Sequence, residues 1–162
     1  MGKANRIKWD ERTGAAVNAR RRLPRLVADY FARVRGLLAA EPSAAKLHRL
    51  RLATKRLRYT LELFRPCYGP ALESRLAALR RIQQLLGEVN DSTAAARLLA
   101  KSMSGDSPQS VRIQRFLEER VERKAQEFQK DWTEVFDAPG QEQWWIKYLA
   151  RNARTPGRRA SA

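Results

Sequence analysis

Apolar residues recur at intervals of three and four along most of the chain, and no alternating run is long enough for a convincing strand. The pattern predicts an N-terminal arm over residues 1–12, five amphipathic helical segments, and a short aromatic helix near the end. The first segment spans about 13–40 and carries Leu23, Leu26, Val27, Tyr30, Phe31, Val34, Leu37 and Leu38 on one stripe. Pro24 is expected to start or kink it, because proline suits a first helical turn and breaks an interior one; residues 20–22 would then form a separate lead-in. Glu41-Pro42-Ser43 closes this segment, and Ser43 is placed to N-cap the second.

The second segment, 47–64, presents Leu47, Leu50, Ala53, Thr54, Leu57, Leu61 and Phe64 on a broad apolar face, with a narrower edge of Leu52, Tyr59 and Leu63. Arg65-Pro66-Cys67-Tyr68-Gly69-Pro70 ends it. A third segment, 71–86, turns Leu72, Leu76, Leu79, Gln83 and Leu86 inward, and Gly87 is expected as its left-handed C-cap. Asn90-Asp91-Ser92 then reads as N-cap chemistry for a fourth segment through about Lys101. After a loop at 102–108, a fifth segment runs to about Phe136 with Ile113, Leu117, Val121, Phe128, Trp132 and Val135 inward. Trp144, Trp145, Tyr148 and Leu149 form the docking helix, the two tryptophans serving to cap the core or, alternatively, as a partner surface. The stretch 151–162 reads as a disordered basic tail. The predicted fold class is all-α, an antiparallel bundle of about five helices forming one domain over 13–150.

Charge changes the picture of the second helix most. At 100° per residue, His48, Arg51, Lys55 and Arg58 fall within an arc of about 80°. No carboxylate occurs between Pro42 and Thr60, so nothing local neutralises this strip before Glu62. The alternative is a solvated face whose long stems cover apolar neighbours. The apolar surface on both sides of the strip and the crowding of uncompensated cations favour a groove for an anion. The whole chain agrees: 162 residues carry a net charge of +16, which points to nucleic acid, an anionic membrane surface or polymeric phosphate.

The remaining chemistry is mostly exclusion. A lone cysteine, Cys67, rules out an intramolecular disulfide and fits a reducing, cytoplasmic setting. The N-terminus places charges where a signal peptide needs its apolar core, no run of eighteen apolar residues occurs, and Arg6 stands where a myristoylation signal needs Ser or Thr. His48 is the single histidine, without metal-ligand spacing to Cys67 or to any carboxylate, and the glycines are scattered singly with no phosphate-cradling loop. A binder is expected, not an enzyme, with no metal and no cofactor.

The run His48-x-x-Arg51-x-x-x-Lys55-Arg56-x-Arg58-Tyr59 resembles the signature helix of the CHAD domain, the conserved histidine α-helical domain. Downstream, Gln83, Leu86-Gly87 and Asn90-Asp91 are similar to that family's leucine-glutamine, leucine-glycine and asparagine-aspartate turn, followed by Arg97-Leu98-Leu99. The resemblance implies an all-helical fold that binds inorganic polyphosphate through a basic groove. It implies Arg51, Lys55 and Arg58 on phosphoryl oxygens, His48 as a hydrogen-bond donor, and Arg56, Tyr59 and Arg80 at the rim. Association with polyphosphate granules would follow. Members of that family usually hold two related halves, whereas this chain carries one signature helix resembling the second, so the resemblance also implies a homodimer that rebuilds a two-sided groove. The alternative is a helical RNA- or DNA-binding protein using the same cations together with Arg158 and Arg159; the scarcity of aromatics near the strip speaks against it.

Overall fold

The computed structural model describes residues 8–102 and 107–156. Five α-helices account for most of them: α1 (Ala15–Leu38), α2 (Ala44–Leu63), α3 (Ala71–Ser102), α4 (Pro108–Asp131) and α5 (Gln141–Arg151). A 3₁₀ turn at Arg65–Cys67 follows α2, and a π-helical turn at Trp132–Phe136 follows α4. No strand occurs among the described residues. Helix α3 packs on α2 and on α4, while α1 packs on α2 and α5, giving the all-α bundle that the periodicity predicts.

One core joins all five helices. Leu23, Val27, Phe31 and Val34 of α1 meet Leu50 and Leu61 of α2, Leu72, Leu76, Leu79, Ile82 and Leu85 of α3, and Trp145 and Leu149 of α5. Tyr30 is the polar group in this packing. Its hydroxyl lies 2.8 Å from Thr54 Oγ1. Thr54 gives its own proton to the Leu50 carbonyl at 2.9 Å, so Tyr30 is the donor of the first bond. Burial pushes the Tyr30 phenol well above its ordinary pKa.

Several local expectations are overturned by packing. Pro24 neither starts nor kinks off a separate helix: residues 20–22 lie inside α1. Ala19, Leu23 and Val27 are all buried on either side of the proline, and this burial offsets its helix penalty of about 3 kcal/mol. The break expected at Gly87 is also absent. Helix α3 runs unbroken for 32 residues, Gly87 is not left-handed, and Asn90, Asp91 and Ser92 are interior helical residues. Leu85, Leu86, Val89 and Ser92 are all buried along this stretch, so tertiary contact overrides weak local helix formers.

The π turn shifts the inward register by one residue, with Asp137 N–H bonding the Trp132 carbonyl at 2.7 Å. Phe136 is consequently buried and Val135 is exposed, the reverse of the expectation. Trp132 and Phe136 stack at 5.0 Å and close the bundle against Tyr30 and Phe31. Ile113, expected inward, is exposed.

Both chain ends are tied down further than expected. Within the arm, Trp9 packs on Phe64 at 5.0 Å. Asn18 accepts from Asp10 N–H at 2.9 Å and donates to the Asp10 and Thr13 carbonyls. At the other end Ala153 is buried, its carbonyl accepts from Arg20, and Arg154 N–H bonds the Cys67 carbonyl at 2.8 Å. The tail expected to be loose from 151 is therefore held through Arg154. Residues 1–7, the centre of the 102–108 loop and the cations Arg158 and Arg159 lie outside the described residues.

Helix α5 is latched by charge and by rings. Arg35 Nη2 and Nε donate to Asp137 at 2.5 and 2.8 Å, and its Nη1 donates to Glu142 at 2.6 Å. Trp145 is buried against Phe136, while Trp144 stacks on Tyr148 at 4.6 Å and receives the Arg75 guanidinium on its ring at 3.9 Å. The tryptophan pair thus caps the core.

Replacing Leu79, wholly buried in α3, by alanine should lower unfolding stability by about 2–5 kcal/mol in urea denaturation. Leu63→Ala, on a side chain 73% exposed, should change it by no more than about 0.5 kcal/mol.

Candidate functional site

The seam between α2 and α3 is where the cations gather. Ser43 caps α2, its hydroxyl accepting from Lys46 N–H at 3.3 Å, and the buried Leu47, Leu50, Thr54, Leu57 and Leu61 fix the helix's rotation about its axis. That rotation turns His48, Arg51, Lys55 and Arg58 toward α3. Helix α3 answers with neutral residues at the matching heights, Asn90, Gly87 and Gln83, spaced three and four apart on one face.

Each level has its own geometry. His48 Nδ1 lies 2.6 Å from Asn90 Oδ1 and donates to it, since an amide oxygen only accepts; Nε2 points away from this bond. Arg51 lays its guanidinium over α3 at Gly87: a Cβ at position 87 would lie 3.8 Å from Arg51 Nε. That Nε is buried and has no hydrogen-bond partner among the described residues. Lys55 has no carboxylate partner among the described residues, and its ammonium lies 5.6 Å from the Tyr59 ring centre. Arg58 crosses the same ring at 4.4 Å, donates from Nε to Gln83 Oε1 at 2.7 Å, and pairs with Glu62 at 2.8 Å.

Beyond Arg58 the character of the seam changes. Glu62 also accepts from Arg80 at 3.1 Å, Arg80 donates to Glu73 at 3.0 Å, and Arg65 lies 3.2 Å from Glu73. Hydrogen bonds to Glu73 and then Glu62 raise the Arg80 pKa above its ordinary value. One end of the seam is therefore closed by acids, and the other, from Lys55 to His48, holds Arg51 and Lys55 with no carboxylate partner among the described residues.

The sequence-derived residues separate accordingly. His48, Arg51 and Lys55 form the uncompensated group. Arg58 sits at its edge, partly committed to Glu62, and Tyr59 is the half-exposed platform beneath Lys55 and Arg58. Arg80 is a member of the acid-closed end, bound to two carboxylates. Arg56 is exposed without a carboxylate partner among the described residues and lies about 120° round α2 from the middle of the strip. Sequence reasoning gave Gln83, Gly87 and Asn90 other roles, as core, cap and turn. Their sequence signal was the single seam face of α3, positions 80, 83, 87, 90, 94 and 97, on which no carboxylate occurs.

Among the described residues no three His, Cys, Asp or Glu side chains gather as metal ligands, and no helix is long and apolar enough to cross a membrane. The arrangement defines an all-α domain with a cation-lined seam, its donors mounted on two mutually packed helices. More narrowly, the chain belongs to the CHAD domain family, whose model matches residues 4–100. That match takes in α1, α2 and nearly all of α3, including the whole seam, and leaves α4 and α5 outside it. No curated protein and no solved structure gives a significant match to the chain.

Because a Cβ at position 87 would make only ordinary contact with Arg51, Gly87→Ala should keep the helix pair intact. It should raise stability by about 0.5–1 kcal/mol, read as a higher urea midpoint.

Proposed function

We propose that the protein binds inorganic polyphosphate along the α2–α3 seam and does no chemistry on it. The observation that carries this reading is the group His48, Arg51 and Lys55, which lies along Asn90 and Gly87 of α3 without a carboxylate partner among the described residues and includes a buried guanidinium N–H with no hydrogen-bond partner among them. An oxyanion supplies what that N–H lacks, and burial without such a bond costs about 1–3 kcal/mol. The helix spaces the four cations about 4.5–6 Å apart along its axis, so they meet successive charges of a closely and uniformly charged polymer. Arginine serves forked contacts and lysine a compact point charge. Membership of the CHAD family supports the same ligand.

In this reading Arg51, Lys55 and Arg58 contact phosphoryl oxygens, and His48, oriented by Asn90 through Nδ1, donates from Nε2 when both ring nitrogens carry a proton. Arg56 and Arg80 supply field at the rim instead of direct contacts. A cytoplasmic location, at polyphosphate granules, is the setting that follows from the ligand. One strip covers one side of a phosphate chain, which leaves the other side open to a second copy, so the polymer would hold two copies face to face.

The test is a competition titration at near-physiological salt between long-chain polyphosphate and RNA of matched charge. Polyphosphate should win, and Arg51→Glu/Lys55→Glu, still helical by circular dichroism, should lose roughly 100-fold or more in affinity, about 3 kcal/mol. Equal affinity for both polymers would make the protein a general basic binder of nucleic acid, and normal binding by the double variant would remove the seam as the site. Light scattering at tens of micromolar should show a dimer in the presence of polyphosphate; a monomer both with and without it would overturn the paired arrangement.

A further inference from the structure

The seam opens, at its cation end, into a pocket of about 410 Å³ between the first turns of α2 and the later turns of α3. This volume lies in the range of small-molecule sites, roughly 300–1,000 Å³. Its chemistry differs from the strip that leads into it. Ala44, Leu47, Val89 and Ala94 make apolar walls, whereas a bare phosphate chain wants only donors and charge. Arg49 from α2 and Arg97 from α3 stand at its edges without a carboxylate partner among the described residues. His48 belongs to both the pocket and the strip, so the two are continuous.

We infer that this pocket takes the base and sugar of a nucleoside polyphosphate whose phosphates run down the seam over His48, Arg51 and Lys55. The apolar lining gives one side of the base a surface to lie against in an open cleft, and guanidinium planes such as those of Arg49 and Arg97 stack on aromatic rings. The acid-closed end, where Glu62 and Glu73 hold Arg80, fixes the direction: an anion entering the seam has its open path toward the pocket and not away from it. The inference rests on the anion-binding reading of the seam and adds a second, chemically distinct compartment to it.

The experiment compares ATP with inorganic tripolyphosphate by calorimetry, magnesium-free, on the wild-type chain and on Ala94→Phe. Both ligands carry three phosphates, and tripolyphosphate is charged at least as highly, so charge alone cannot favour ATP. The expected result is ATP binding about tenfold more tightly than tripolyphosphate, with Ala94→Phe crowding the pocket and abolishing that preference while tripolyphosphate still binds. Should Ala94→Phe lose helicity, Arg97→Ala, on an exposed side chain, serves instead and should shrink the preference several-fold. ATP binding no better than tripolyphosphate overturns the pocket inference and leaves the seam reading standing. So does binding of long-chain polyphosphate alone, or a pocket substitution that changes the oligomeric state without touching ATP preference. Failure of long-chain polyphosphate to bind overturns both.

Discussion

Helix α3 has to stay helical through Gly87 and Asn90-Asp91-Ser92 for the rest of the molecule to exist as it does. At 32 residues it is about 48 Å long, and it is packed on two sides at once. Arg81 reaches Asp131 and Lys124 reaches Glu88 on the α4 side, while Arg58 reaches Gln83 and His48 reaches Asn90 on the α2 side. A break at Gly87 would release the levels of Arg51 and His48 from the level of Arg58, and the seam would lose its common axis. The apolar residues between these two faces, Ile82, Leu85, Leu86 and Val89, supply the burial that keeps the helix continuous.

The two long contacts of α3 also divide the electrostatics. Toward α4, cations and carboxylates alternate and pair across the interface, as surface-exposed helix pairs ordinarily do. Toward α2, pairing is confined to the cluster around Glu62 and Glu73, and the rest of the seam has amides and a glycine where acids would have neutralised it. A net charge of +16 makes every uncompensated cation costly to hold near another. The seam holds part of that cost in donors that are already oriented, which reduces what a bound anion must reorganise.

Much of this was legible in the chain. The threes-and-fours spacing of α2 located its core face and its cation strip together, because one rotation of the helix sets both. Ser43 marked its start correctly. What the sequence concealed was tertiary override of local signals. Pro24, Gly87 and Asn90-Asp91-Ser92 are true helix-breaking or capping residues, outweighed by neighbours that are far apart in sequence. The π turn hid in the same way, since one extra residue exchanges Val135 for Phe136 and leaves no local mark. The partners of Arg80 were hidden for a different reason: its carboxylates, Glu62 and Glu73, stand eighteen and seven residues away, and only the packed helix pair brings them together.

The corner around Phe64 and Cys67 receives the chain from both directions. Trp9 arrives on Phe64, and Arg154 arrives on Cys67, at the foot of α2, while the pocket lies at its head, about 25–30 Å away. Trp9 and Arg154 are thus both anchored on the side remote from the groove mouth. A fold pinned twice at its foot leaves the head of α2, where the groove opens, clear of both anchors.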